Sequence, residues 1–103
     1  MVKYDGYAIV TGGARGMGAA ICRQLASDGY DIVCNYVSAS SKEKVEALAA
    51  EIGEKYGRKV IATQGDVSKF EDCQKVVQTA VEALGEKIGV LVNNAGITVR
   101  AEL

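Results

Sequence analysis

The sequence predicts an α/β fold, an open, doubly wound parallel sheet truncated to about four strands in the order 3-2-1-4, with three helices. Three observations carry this expectation. Four short Val/Ile-rich segments alternate with three segments of helical period, and the alternation repeats at about thirty residues, the length of a βαβ unit. The short segments are apolar almost throughout, without polar alternation, as in strands covered on both faces. Right-handed crossovers between parallel strands then favour 3-2-1-4, which reverses direction between the first and fourth strands and puts a ligand crevice at their carboxyl ends.

The first strand is read in "YAIVT", Tyr7 to Thr11. In the helix that follows, Met17, Ile21 and Leu25 recur every fourth residue and Gly29 ends the run. "DIVCNY", Asp31 to Tyr36, is the second strand. The second helix carries Val45, Leu48, Ile52 and Tyr56 on one stripe, with Ser40 and Glu43 at capping-box spacing and Gly57 at the end. "KVIATQ", Lys59 to Gln64, is the third strand. Cys73, Val76, Val77, Ala80 and Leu84 form the third helical stripe, opened by Ser68 with Glu71 and closed by Gly85. "IGVLVNN", Ile88 to Asn94, is the fourth strand. No linker or low-complexity tract interrupts the series, so residues 1–103 read as a single domain.

Composition excludes several classes of function. With 49% hydrophobic residues, no proline and a formal net charge of -1, the chain reads as a globular unit and not as a phosphate-backbone binder, so no nucleic-acid partner is expected. Its apolar runs are too short to span a bilayer, and the opening lacks a secretory signal, which places the protein in the cytoplasm without a membrane partner. Cys22, Cys34 and Cys73 form no Cys-x-x-Cys pair and there is no histidine, so no metal site is expected. The cysteines read as small buried hydrophobes.

The chemistry concentrates at the carboxyl ends of the first and fourth strands. "TGGARGMG" turns a strand directly into a helix, which brings backbone N–H groups and the positive end of the helix dipole together as a phosphate site. Gly12, Gly16 and Gly18 remove Cβ atoms that would keep a diphosphate from the backbone or the helix from the strand. No Lys followed by Ser or Thr ends the loop, which excludes the Walker A pattern. The spacing is Gly-x-x-x-Gly-x-Gly, distinct from the commoner dinucleotide fingerprint.

"TGGARGMG" after the first strand, "GDV" after the third and "NNAG" after the fourth, in this order, resemble the Rossmann-like cofactor half of the short-chain dehydrogenase/reductase family. The resemblance covers essentially the whole chain and, in local wording, is nearest to reductases of 3-oxoacyl thioesters. It implies that Gly12, Gly16 and Gly18, with Met17 between them, cradle a pyrophosphate, and that Asp66 hydrogen-bonds the adenine amino group with Val67 beside the ring. It implies further that Asn93, Asn94, Ala95 and Gly96 border the adenine ribose and that Thr11 ties the two loops together. Gly89 departs from the pattern, standing where similar sequences often carry aspartate; it should loosen the start of the fourth strand, far from the cofactor.

The cofactor expected is a nicotinamide dinucleotide, NADP(H) in preference to NAD(H). An NAD-selective site ends its second strand with a carboxylate for the ribose hydroxyls, but here that strand ends on Tyr36. Asp28 and Asp31 lie at the other end of the strand, more than ~13 Å away at strand rise. Arg15 is placed where its guanidinium grips a 2′-phosphate, and Ser38 and Ser40 add hydroxyl donors.

In the family, carbonyl reduction uses a tyrosine with a lysine four residues on and a serine that orients substrate. No tyrosine of this sequence has a lysine at that spacing. The expectation is therefore the amino-terminal, cofactor-holding part of a longer reductase of a small carbonyl substrate, inactive by itself, with a stand-alone dinucleotide-binding module as the alternative. A methyltransferase-like domain holding S-adenosylmethionine is a third reading, against which "NNAG" and Arg15 speak. An apolar fourth strand left as an open edge predicts self-association.

Overall fold

The computed structural model describes residues 6–12 and 16–93. Strands β1 (Tyr7–Thr11), β2 (Ile32–Tyr36), β3 (Val60–Gln64) and β4 (Ile88–Asn93) alternate with helices α1 (Gly16–Ser27), α2 (Lys42–Tyr56) and α3 (Phe70–Leu84), and a short 3-10 turn, Ala39–Ser41, precedes α2. The four strands form one parallel sheet in the order β3-β2-β1-β4, as the sequence predicts.

Burial separates centre from edge. All five residues of β1 and of β2 are buried, whereas β3 and β4, the outer strands, are mostly half-buried or exposed. The expectation of strands covered on both faces therefore holds for the central pair only. Alternate residues of β1 and β2 point to opposite faces. Ala8, Val10, Ile32 and Cys34 pack with Cys22 and Ala26 of α1 and with Val45, Leu48 and Ile52 of α2. Tyr7, Ile9 and Val33 meet Ala80 of α3 on the other face.

The stripe expected on α1 is rotated. Gly18, Ala19, Cys22 and Ala26 are the buried residues, Ile21 and Leu25 pack at the margin, and Met17 is 72% exposed. Small side chains let α1 lie close over β1 and β2, and Arg23 joins it to α2. There the Arg23 guanidinium donates two hydrogen bonds to the Glu51 carboxylate, at 2.8 and 3.1 Å.

Neither capping box forms. Ser38 Oγ accepts from the Ser40 amide at 3.2 Å and lies 2.8 Å from Ser40 Oγ, so this serine cluster builds the 3-10 turn and α2 starts after Ser41. At α3 the boundary residue is Lys69, without a side-chain cap, because Ser68 is already engaged by Asp66. Short polar side chains that satisfy nearby backbone groups compete with the helical alternative. The glycine stops do hold: Gly57, at φ +66°, and Gly85, at φ +96°, donate their amides to Gly53 and Val81 carbonyls.

At the amino end of the sheet the expected effect of Gly89 is visible as a register shift. Tyr7 pairs with Ile88 but Ala8 pairs with Val90, so Gly89 is the extra residue of a bulge. Gly6 sits against it at φ +100°, and a Cβ there would overlap the Lys87 carbonyl oxygen and lie 2.8 Å from the Gly89 nitrogen. Asp31 also belongs to this edge, accepting from the Lys59 amide at 3.0 Å with Arg58 3.8 Å away. It is thus unavailable to a ligand at the opposite end.

Candidate cofactor site

Polar residues line up where the strands end. Register pairing places Asn93 opposite Thr11, Thr11 opposite Asn35 and Asn35 opposite Thr63, a polar row across all four strands. Thr11 Oγ1 lies 3.2 Å from Asn93 Oδ1 and donates toward the Val92 carbonyl at 3.3 Å, which links the exits of β1 and β4. Immediately beyond, Gly12 turns the chain at φ +68° and donates its amide to the Asn35 carbonyl at 3.0 Å.

Helix α1 begins at Gly16, four residues beyond Gly12. The first turns of α2 and α3 carry Glu43 and Glu71 with Asp72, but that of α1 carries no acidic residue. No acidic side chain there competes with an external anion for the positive end of the dipole. Gly16 has φ +23°, and a Cβ there would meet nothing within 4 Å. Packing among the described residues does not demand a glycine at that point, but the backbone φ does. Gly18, by contrast, is buried in the α1 seam.

Asp66 lies in the turn after β3. Its Oδ1 accepts from Ser68 Oγ at 2.6 Å and from the Ser68 amide at 3.0 Å, and these two bonds hold the carboxyl below the usual carboxylate range. The group is an anion at neutral pH, an acceptor suited to an amino group. Its own amide donates to Asp72 Oδ2 at 2.9 Å, and Gly65 donates to the Tyr36 carbonyl at 2.9 Å, so the turn is fixed to α3 and to β2. Gly65 leaves little room of its own, since a Cβ would stand 3.3 Å from Val76 Cγ2. Val67 is half-buried in the same turn.

Tyr36 ends β2 and is buried; it contributes its backbone to the edge, and Ser38 follows as an exposed hydroxyl paired with Ser40. No carboxylate ends β2, as the sequence indicates. Arg15, Asn94, Ala95 and Gly96 lie outside the described residues. Thr11, Tyr36 and Asn93 end their strands, Gly12, Ser38, Asp66 and Val67 follow strand ends, and Gly16, Met17 and Gly18 open α1. Sequence reasoning missed Asn35, whose side-chain amide donates to the Gly65 carbonyl at 3.1 Å. A polar residue inside an otherwise apolar strand was the available signal.

Among the described residues no cluster of His, Cys, Asp or Glu could hold a metal ion, and no helix is long and apolar enough to cross a membrane. Cys22 and Cys34 are both buried, with Sγ atoms 3.1 Å apart. This contact and burial raise the Cys34 thiol.

Comparison with known proteins agrees with this fold. Residues 6–103 match the model of the short chain dehydrogenase family. The chain is 44% identical over 91 residues to the 3-oxoacyl-[acyl-carrier-protein] reductase FabG of Staphylococcus epidermidis, a match covering 88% of this chain and 36% of that protein. A blue fluorescent protein from a metagenomic library, solved in complex with NADPH, superposes with a TM-score of 0.83 at 48% identity, over 93% of this chain and 38% of that one. L-sorbose reductase of Gluconobacter frateurii, solved with NADPH and L-sorbose, superposes with a TM-score of 0.80 at 30% identity, over 89% of this chain and 34% of that one. The chain thus spans little more than a third of the length of these proteins.

Proposed function

The chain belongs to the short-chain dehydrogenase family, and from that premise we propose that its 103 residues are a single dinucleotide-binding domain, the amino-terminal part of an NADP(H)-dependent oxidoreductase that reduces a carbonyl to an alcohol. The observation that carries this reading is the placing of an acid-free helix end and a bare glycine turn on one side of the crevice, with the anionic Asp66 two strands away on the same edge.

In this reading Gly12, Gly16, Met17 and Gly18 cradle the pyrophosphate at the positive end of the α1 dipole, the Gly12 amide staying on the Asn35 carbonyl. Asp66 accepts from the adenine amino group, Val67 packs beside the ring, and Asn93, Ala95 and Gly96 border the ribose, with Thr11 holding the exits of β1 and β4 together. Tyr36 and Ser38 flank the 2′ position, where Arg15 pairs with the phosphate of NADP. The missing carboxylate at the end of β2 supports NADP(H) over NAD(H), as do the NADPH complexes of similar proteins. When bound, the dinucleotide supplies hydride. These 103 residues contain no tyrosine with a lysine four positions on, so by themselves they hold cofactor and do not catalyse. Likeness to the FabG reductases supports a 3-oxoacyl thioester as the substrate of the whole enzyme, which would act in the cytoplasm.

Fluorescence titration of the chain with NADPH and with NADH at physiological salt tests the reading. Tighter binding of NADPH is expected. A tighter complex with NADH overturns the preference, and no complex with either dinucleotide overturns the function.

A further inference from the structure

Asn35 is fully buried near the carboxyl end of β2, between Thr11 and Thr63 of the adjacent strands and flanked in sequence by Cys34 and Tyr36. Its Nδ2 faces two carbonyl oxygens, that of Gly65 at 3.1 Å and that of Thr63 at 3.5 Å. Only the nitrogen end of the amide can face two acceptors, so the side-chain orientation is fixed. The cost falls on the other end, because Asn35 Oδ1 has no hydrogen-bond partner among the described residues. A leucine of similar size would fill the same space without an unmet Oδ1, though it would also take the donor from the Gly65 carbonyl. An asparagine at this point works against stability unless its donor serves a purpose.

The backbone of the same residue supplies that purpose. Asn35 accepts the Gly12 amide through its carbonyl and holds the Gly65 carbonyl through its side chain. One residue therefore grips both the glycine turn after β1 and the Asp66 turn after β3. We propose that Asn35 is a positioning residue that sets the spacing between the phosphate cradle and the adenine acceptor. The proposal rests on the dinucleotide reading above and assigns to Asn35 the preorganisation of its adenosine half. With the clamp in place, Gly65 and Asp66 are ordered before the ligand arrives, and the entropy of fixing them is not lost on binding.

The substitution Asn35→Leu separates this role from a structural one. It removes the donor and the unmet acceptor together, so thermal stability is expected to be unchanged or raised. Amide hydrogen exchange at Gly65, Asp66 and Val67 is expected to accelerate at least fivefold, with the amides of Ile9 and Val33 unaffected. Affinity for adenosine 2′,5′-bisphosphate is expected to fall at least fivefold. Asn35→Ala serves as the second variant should leucine disturb the sheet. Unchanged exchange at the Asp66 turn in a folded variant overturns the clamp, and so does unchanged affinity for the bisphosphate. If the unsubstituted chain binds no bisphosphate while exchange responds as described, the dinucleotide reading fails and the clamp between the two turns stands.

Discussion

Gly6 and Gly16 both carry positive φ, at +100° and +23°, but their surroundings ask for glycine on different grounds. At Gly6 the chain itself leaves no space, because the β4 bulge presses the Lys87 carbonyl into the position a Cβ would take. Gly6→Ala is expected to cost more than about 2 kcal/mol, combining backbone strain with overpacking, read as a fall in the urea midpoint. At Gly16 the space is open, and Gly16→Ala is expected to cost about 1 kcal/mol from φ alone while weakening NADPH at least tenfold. Equal losses of stability in the two variants would show that Gly16 too is structural. Asp66 offers a second check at this scale. Its folded-state carboxyl titrates below the unfolded value, so its contribution is fully present above the unfolded value and is lost as pH falls through the folded one. Asp66→Asn should therefore lower the neutral plateau of a stability–pH curve and flatten its acid limb, so that the two curves converge at low pH. An acid limb of the same slope in both proteins would assign the lowered titration no part in folding. These residues differ in how far the sequence disclosed them. Asp66 and the glycines were legible because they stand at element ends, where residue type reports directly on backbone geometry. Asn35 was not, because its meaning depends on a carbonyl thirty residues further on, brought near only by sheet register.

Elements were legible by period and less so by face. All four strands and three helices fall where apolar spacing places them, since a buried element must repeat its apolar residues at its own pitch. The exposed or buried side of α1 did not follow from the largest side chains. Met17, Ile21 and Leu25 form the most apolar stripe, yet Gly18, Ala19, Cys22 and Ala26 are the residues α1 buries. Ala26, 2% exposed, should tolerate no enlargement: Ala26→Leu is expected to cost about 1–3 kcal/mol by overpacking. Met17→Ala should stay within about 0.5 kcal/mol. Thermal unfolding of the pair decides the matter, and the reverse ranking would place the seam on the other side of the helix. Helix starts were the least legible, because Ser40 and Ser68 have closer partners than the capping-box glutamates, a competition that spacing alone does not reveal.

For the molecule as a whole, the two faces of the sheet are unequally covered. Two helices lie on one and α3 alone on the other, so Leu91 remains 67% exposed, Ile88 41% and, on the flank of α3, Val77 40%. Between them and Ile9 lies an open, mainly apolar hollow of about 230 Å³. Beside it β4 is an outer strand with one side of its backbone unpaired by the sheet. An apolar surface and a free strand edge in the same place favour a second copy of the chain, which covers the surface and extends the ladder at once. We therefore expect sedimentation equilibrium to give a mass above the 10.8 kDa of one chain, rising with concentration through the micromolar range. Leu91→Lys should return the chain to a monomer, since it places a charge on the covering face without touching the backbone edge. If Leu91→Lys associates as the parent does, strand pairing alone drives assembly and the apolar face takes no part. If the unsubstituted chain is monomeric at high micromolar concentration, the exposed face is stable in water and the argument from coverage fails.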